Sequence, residues 1–203
     1  MEATLAGRDV LAVMPTGSGK SAIYQVPAIL IDGPTLVISP PIALQQDQIA
    51  QLEDFDAPDA VAINSRQGAA QTDRSWNAVL ENEAEYIFLA PEQLTKDDVI
   101  AQLRTADIAL VVVDEVHCVS AWGHDFRPSY LRLADAIERL NRPPVAGLTA
   151  TASPVVRREI VEHLRLRDPI GLPPALIRPN LRLEVEHFVD DAEQRDAVVA
   201  AAR

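Results

Sequence analysis

Short apolar runs of Val, Ile, Leu and Ala recur along this chain and alternate with stretches of helical spacing. The runs occupy residues 10–14, 35–39, 60–63, 86–90, 108–114 and 145–150. Nearly continuous apolar runs of this length are typical of strands that are covered on both faces. Helix-like stretches lie between them, including residues 42–53, 73–83 and 129–140. The alternation predicts an α/β fold, with an open, mainly parallel sheet, helices on both faces and ligands at the carboxyl ends of the strands.

The charge of the chain is unevenly distributed. The 203 residues carry a net charge of −12, which argues against a general nucleic-acid coat protein. Residues 127–182, however, hold 10 arginines against 5 acidic residues. Two interpretations stay open at this point: the arginines contact a phosphate backbone, or they form a solvated face.

Composition also bears on the cellular compartment. The single cysteine, Cys118, excludes an intramolecular disulfide and suits a reducing environment. The N-terminus lacks the basic and apolar regions of a signal peptide, and no apolar stretch is long enough to span a bilayer. We expect a cytoplasmic protein, associated with the bacterial nucleoid, that has no membrane partner.

A glycine-rich string follows the first apolar run and precedes a helix-like stretch, which is the context of a phosphate-binding loop. The string comprises Thr16, Gly17, Ser18, Gly19, Lys20 and Ser21. Backbone N–H groups of such a loop can surround phosphate oxygens, while Lys20 reaches the terminal phosphates of ATP and the Ser21 hydroxyl ligates Mg²⁺. Met14 occupies the first glycine position of the strict pattern. The alternative is an ordinary Gly/Ser turn with an exposed lysine.

Two adjacent carboxylates, Asp114 and Glu115, end the apolar run at residues 108–114. On a parallel sheet they would stand at the same edge as the phosphate-binding loop. Asp114 would hold Mg²⁺ and Glu115 would orient and deprotonate the attacking water. A pair of acids at a helix N-terminus is the alternative, and the presence of the loop in the same sheet weakens it.

An aromatic loop, residues 118–128, comes directly after the acidic pair. It contains Trp122, His124, Phe126 and Arg127, in a chain with an aromatic content of 4%. Aromatic rings with an arginine can stack on unpaired bases, whereas in the alternative Trp122 and Phe126 fill the core. The histidines beside Cys118 and Asp125 fit no structural zinc spacing, and Cys118 is expected to be a packed small side chain.

Six strings occur in order along the chain: VMPTGSGKSAIYQVPA, VISPPIALQQDQI, FLAPEQL, VVVDEVHCVSAWGHDFRPSYLRL, LTATAS and IRPNL. Together they resemble the first RecA-like lobe of RecQ-family DNA helicases of superfamily 2, over roughly residues 6–185. The resemblance implies an ATP- and Mg²⁺-dependent helicase that moves on single-stranded DNA, separates partially duplex DNA in the 3′ to 5′ direction and serves repair or recombination.

The resemblance also assigns roles by position. His117 joins Asp114 and Glu115 in the acidic motif, and the aromatic loop senses single-stranded DNA. Thr149 and Thr151 fall in the motif that couples hydrolysis to lobe movement, and the Thr149 hydroxyl is expected to contact the acidic motif. Five further residues fall in motifs along the DNA track: Ser39, Pro40, Gln48, Pro91 and Gln93.

The chain departs from the family pattern in several places. Val116 replaces the usual alanine, and an upstream glutamine motif that reads adenine would precede Met1. Residues 1–176 are expected to form the ATP-binding lobe, and residues 177–203, with a strand at 181–185, a connection toward a second RecA-like lobe. Because that lobe supplies an arginine finger worth ~10³–10⁵ in rate, we expect feeble hydrolysis by this lobe alone. A duplex translocase that does not separate strands and a catalytically silent nucleotide- or DNA-binding module are the alternatives.

Overall fold

A seven-stranded parallel sheet organises the protein. The computed structural model describes residues 1–39, 42–54, 59–64, 67–122, 125–172, 188 and 190–201. The strands are β1 (Val10–Val13), β2 (Thr35–Ile38), β3 (Ala60–Ile63), β4 (Tyr86–Leu89), β5 (Leu110–Val113), β6 (Val145–Thr149) and β7 (Ile170–Leu172). Their order is β3-β4-β2-β5-β6-β1-β7, and every pairing among them is parallel. The predicted fold class is confirmed.

Within the described residues, eight α-helices connect or flank the strands. They are α1 (Glu2–Leu5), α2 (Ala22–Ala28), α3 (Ile42–Asp54), α4 (Ala69–Leu80), α5 (Asp97–Thr105), α6 (Leu133–Arg139), α7 (Pro154–His163) and α8 (Asp191–Ala201). Short 3₁₀ turns occupy Pro91–Thr95, Val116–Val119 and Pro128–Arg132. The predicted helix over residues 129–140 is therefore divided, since its first residues form a 3₁₀ turn that begins at Pro128 and α6 follows.

Both faces of the sheet are covered, as the apolar runs predict. Alternate residues of one strand enter different clusters: Val111 and Val113 of β5 pack in one, and Leu110 and Val112 in the other. All four side chains are at most 1% exposed. Strands buried on both faces need no polar alternation, which explains why β5 is a continuous apolar run.

The sequence interpretation missed β7 and placed several strand ends too far along the chain. Strand β7 is three residues long with a central glycine, and it is defined by its parallel pairing with β1. Strands β1, β2, β4, β5 and β6 each end one residue before the predicted boundary. The residues just beyond them, among them Ser39 and Asp114, leave the sheet at its carboxyl edge, where the predicted site residues gather.

A buried ion pair ties the opposite edge of the sheet together. Arg142, after α6, bonds Asp9 just before β1, and the two side chains are 7% and 4% exposed. Asp9 also accepts the backbone N–H groups of Val145 at 2.9 Å and Arg167 at 2.6 Å. Burial alone would raise the pKa of Asp9, but Arg142 and these two N–H groups hold it below the usual value.

The C-terminal part of the chain is described in part. The predicted strand at 181–185 lies outside the described residues, and α8 is the last described element of the predicted connection. None of the helices that the structure describes has the length and apolar character needed to cross a membrane.

Candidate functional site

The sheet order brings the glycine-rich loop and the acidic pair to one cavity. Strand β6 lies between β1, which leads into the loop, and β5, which leads into Asp114. The cavity has a volume of about 450 Å³ and lies at the carboxyl edge. Seven residues predicted to bind nucleotide or metal or to act in catalysis line it: Thr16, Gly17, Gly19, Lys20, Ser21, Asp114 and Glu115. The residues predicted from the two motifs therefore meet at one cavity, and their roles there stay predictions.

The conformation of the loop depends on its glycines. Gly17 and Gly19 have φ angles of 76° and 81°, which L side chains rarely adopt. A Cβ at either position would meet no atom within 4 Å, so the requirement for glycine is conformational rather than steric. Ser18 points elsewhere, since its hydroxyl donates to the Pro15 carbonyl at 2.5 Å. It is absent from the cavity wall, although it was predicted to bind nucleotide.

Lys20 is held close to the start of the loop. Its Nζ donates to the Met14 carbonyl oxygen at 3.3 Å, and the side chain is half-buried. The residue that departs from the strict glycine pattern thus contributes its backbone oxygen, which any residue type supplies. This contact disfavours the exposed-lysine alternative.

Asp114 is a buried carboxylate beside a second acid. It is 8% exposed, and its Oδ1 accepts the backbone N–H of Glu115 at 2.9 Å. Burial, with the adjacent Glu115 charge, raises the pKa of Asp114, while Lys20 and the Gln48 side chain act in the opposite direction. Glu115 has a φ of 45°, a left-handed conformation that is uncommon for a non-glycine residue.

His117 links the acidic pair to the end of β6. Its Nδ1 lies 2.9 Å from the Thr149 hydroxyl oxygen and 3.2 Å from Glu115 Oε2. The Thr149 hydroxyl donates to the Thr151 carbonyl at 3.1 Å, so it can only accept from the imidazole. Nδ1 therefore carries a proton, and the predicted contact between Thr149 and the acidic motif is present.

The same contacts make the stability of this link dependent on pH. The Cys118 sulfur, 3.9 Å from Nε2, and the Glu115 carboxylate raise the pKa of His117 to about 9. The pKa of a histidine side chain in an unfolded chain is about 6.5. A raised folded pKa stabilises the protein fully below pH 6.5, and this contribution is lost as the pH rises through 9.

We expect the free energy of unfolding of the wild type to fall, relative to that of His117→Asn, between pH 6.5 and 9. Urea denaturation at pH 6, 7.5 and 9.5 measures the difference. A constant difference across this range would show that the pKa of His117 is the same in the folded and unfolded states.

The oxygen atoms on the cavity wall suit Mg²⁺. Ser21 offers a hydroxyl and Asp114 a carboxylate, hard ligands of the kind Mg²⁺ takes beside substrate phosphates. Gln48 lines the same cavity, and its buried Oε1 has no hydrogen-bond partner among the described residues. That acceptor is available to a ligand. In the described part of the chain, no group of three or more His, Cys, Asp or Glu side chains could hold a metal by itself.

The residues assigned to the DNA track occupy different environments. Ser39, Pro91 and Gln93 are buried, and Gln48 belongs to the cavity just described. Ser39 is fixed from α3, because Gln45 Nε2 donates to its carbonyl oxygen at 2.6 Å. These side chains offer no surface to a strand, so their DNA-contacting role stays a prediction. Pro40 and His124 lie outside the described residues.

The aromatic loop presents its tryptophan to solvent. Trp122 is 78% exposed and Phe126 41%, so the core-filling alternative is wrong for Trp122. Cys118 is buried, as predicted for a packed small side chain. Arg127 donates its backbone N–H to the Cys118 carbonyl at 2.9 Å and pairs with Asp125 at 3.1 Å. The Arg127 guanidinium keeps the pKa of Asp125 below its usual value.

The arginine-rich stretch is partly neutralised within the described part of the protein. Among the arginines described there, five form ion pairs, namely Arg127, Arg139, Arg142, Arg165 and Arg167. The net charge of the stretch therefore overstates the positive field available to a phosphate backbone.

Sequence interpretation missed part of the cavity wall. Tyr24, Gln25, Gln51 and Leu148 line it beside the predicted residues. Tyr24 and Gln25 follow the loop by one helical turn, and this spacing is the signal that could have found them. Val116, the departure from the family motif, is fully buried beside Gly147, where a Cβ would meet both Val116 methyl groups at 3.5 Å.

Comparison with known proteins agrees with this geometry. The family model described as "DEAD/DEAH box helicase" matches residues 1–159. "Probable ATP-dependent DNA helicase RecS" of Bacillus subtilis (strain 168) is 37% identical over 98% of this chain and 40% of its own length. "ATP-dependent DNA helicase RecQ" of Haemophilus influenzae is 35% identical over all of this chain and 33% of its own length. The resemblance to RecQ-family helicases is confirmed, and the chain spans two fifths or less of these relatives.

A solved structure shows the same fold. "Structure of Mycobacterium smegmatis helicase Lhr bound to ssDNA and AMP-PNP" superposes with a TM-score of 0.62 at 26% identity, over 86% of this chain and 25% of that one.

Proposed function

Since the chain belongs to the DEAD/DEAH box helicase family, we propose that it is the ATP-binding lobe of a helicase that couples ATP hydrolysis to movement on single-stranded DNA. The observation that carries the proposal is the arrangement of residues 114–122. Within this short segment the acidic pair lines the cavity, His117 contacts β6, and Trp122 stands in solvent. Any displacement of the tryptophan is thus transmitted along a few residues to the carboxylates.

The chemistry proposed for the cavity uses residues of this chain. Lys20 would leave its contact with the Met14 carbonyl and stabilise charge on the terminal phosphates of ATP. Glu115 would orient the attacking water and accept its proton, with its own carboxylate held by His117. Ser21 and Asp114 would hold Mg²⁺, which supplies charge neutralisation to the phosphates.

The proposed coupling runs through Thr149. Its hydroxyl accepts from His117 and donates to the Thr151 carbonyl. A change in the charge or position of Glu115 during hydrolysis therefore alters the hydrogen bonds of the segment that follows β6. This segment would pass the change to a second RecA-like lobe, in keeping with the greater length of the relatives.

The proposed DNA contact is base stacking on Trp122 and Phe126. Exposed aromatic rings stack on unpaired bases irrespective of sequence, and bases paired in a duplex do not offer that face. This preference favours single-stranded or partially duplex DNA as the partner. Strand separation, 3′ to 5′ polarity and a role in repair or recombination belong to the same proposal and rest on the resemblance to RecQ helicases.

Trp122→Ala is expected to weaken the binding of a labelled single-stranded oligonucleotide about tenfold, since stacking contributes ~1–3 kcal/mol per base. Fluorescence anisotropy measures the affinity. Leu131→Ala is the matched control, because it removes a different exposed apolar side chain, 41% exposed, from the neighbouring 3₁₀ turn. This variant should bind like the wild type. Equal affinities of Trp122→Ala and the wild type would contradict the stacking role.

A further inference from the structure

We propose that Glu159 of α7 is a positioning residue. It holds the first residues of the aromatic loop, so that binding of DNA at Trp122 stimulates hydrolysis at the ATP site. The inference rests on the proposed function. Glu159 lies 37 residues beyond Trp122, and none of the six strings that carry the family resemblance contains it.

The contact is made by a fully buried serine. Ser120 directly follows the 3₁₀ turn Val116–Val119 and is 0% exposed. Its hydroxyl donates to Glu159 Oε2 at 2.5 Å and accepts the backbone N–H of Trp122 at 3.1 Å. The hydroxyl proton is committed to the carboxylate, which leaves the oxygen lone pairs for Trp122. Glu159 therefore fixes the orientation in which Ser120 holds the tryptophan backbone.

Helix α7 is itself attached to the segment that follows β6. Its N-cap residue Ser153 accepts the Val156 N–H with its hydroxyl oxygen at 3.3 Å and stands two residues after Thr151. Thr151 is bonded to the Thr149 hydroxyl through both its carbonyl and its N–H. The N-terminus of α7 is thus tied to the partner of His117, and Glu159 lies further along the same helix.

Two side-chain links therefore join the same two segments. His117 contacts Thr149, and three residues later Ser120 contacts Glu159. Thr149 ends β6 and Glu159 lies on α7. The short connection between them is held by the bonds of Thr151 and Ser153, so the two links are coupled through this connection. We infer that movement of Trp122 when DNA binds displaces His117 by two routes, one along the backbone of residues 117–122 and one through α7.

A second serine–glutamate hydrogen bond lies where the chain leaves the aromatic loop. Ser129 donates to Glu92 Oε1 at 3.0 Å, a serine–glutamate bond of the same chemistry on the exposed surface. Glu92 lies in the 3₁₀ turn Pro91–Thr95 and not on α7. Breaking this bond frees the exit of the loop without touching the link through Glu159.

The test compares three substitutions in the longest gene product that contains this chain. Glu159→Met keeps side-chain length but removes the acceptor, and Glu159→Gln keeps an acceptor oxygen. Glu92→Met is the matched control. ATP hydrolysis without DNA and with saturating single-stranded oligonucleotide is measured for each, together with the oligonucleotide affinity.

Glu159→Met is expected to reduce stimulation by DNA roughly fivefold or more, the range of a typical coupling between sites. Its basal rate and its affinity for the oligonucleotide should stay within about twofold of the wild type, because the Trp122 ring remains available. Glu159→Gln should recover most of the stimulation, and Glu92→Met should retain it.

Three results would overturn the inference. They are undiminished stimulation in Glu159→Met, an equal loss of basal and stimulated rates, and failure of Glu159→Gln to recover stimulation. If Glu159→Met does not fold, Ser120→Ala, which removes the other partner, must show the same selective loss. Absence of DNA stimulation in the wild type would instead contradict the proposed function.

Discussion

Glu115→Gln is expected to slow ATP hydrolysis by about 10²–10⁴-fold, the usual contribution of a general base. Glutamine keeps the shape of the side chain but cannot accept the proton of the attacking water. Asp114, Ser21 and Lys20 remain on the cavity wall, so ATP affinity should change little. Phosphate release by the longest gene product that contains this chain measures the rate, and binding of a fluorescent ATP analogue measures the affinity.

Glu162→Gln is the matched control for that substitution. Glu162 is an exposed glutamate on α7, away from the cavity, and its replacement should leave the rate unchanged. A rate for Glu115→Gln within tenfold of the wild type would remove Glu115 from the role of base. Loss of nucleotide binding in the same variant would show a structural role instead.

The second large effect concerns stability. Arg142→Met is expected to lower the free energy of unfolding by about 3–5 kcal/mol, because it leaves Asp9 as a buried charge without its partner. Urea denaturation at pH 7 measures the change. Arg8 and Asp168 form an ion pair with side chains 48% and 98% exposed, and Asp168→Asn should cost less than about 1 kcal/mol.

The pH dependence gives a separate check on the same ion pair. The lowered pKa of Asp9 means that its stabilisation is present above its unfolded pKa of about 3.9 and is lost as the pH falls through the folded value. The difference between the wild type and Asp9→Asn should therefore shrink on acidification. Equal costs for Arg142→Met and Asp168→Asn at pH 7 would contradict the account of the buried pair.

The sheet and the cavity were predictable because local pattern determines them. A strand such as Leu110–Val113 is apolar on both faces, and the two candidate catalytic residues, Asp114 and Glu115, follow it directly in the sequence. Parallel strands bring their carboxyl ends to one edge, so the glycine-rich loop and the acidic pair meet although they are nearly a hundred residues apart.

Contacts between distant segments could not be predicted in this way. Strand β7 exists because it pairs with β1, and its own three residues carry little strand signal. Asp9 and Arg142 are 133 residues apart, and Ser120 and Glu159 are 39 apart. Nothing in the local spacing marks such partners. The resemblance placed Gln48 on the DNA track, whereas packing of α3 places it against the cavity beside Asp114.

The central claim is that single-stranded DNA, sensed at Trp122, stimulates hydrolysis at Glu115. The most direct measurement is phosphate release by the longest gene product that contains these 203 residues, with no DNA, with a single-stranded oligonucleotide and with a blunt duplex of the same sequence. The account predicts strong stimulation by the single strand, weaker stimulation by the duplex and none in Glu115→Gln, with Trp122→Ala losing most of the response. Hydrolysis that is independent of DNA, or stimulated by the duplex alone, would contradict it and favour a translocase that does not separate strands.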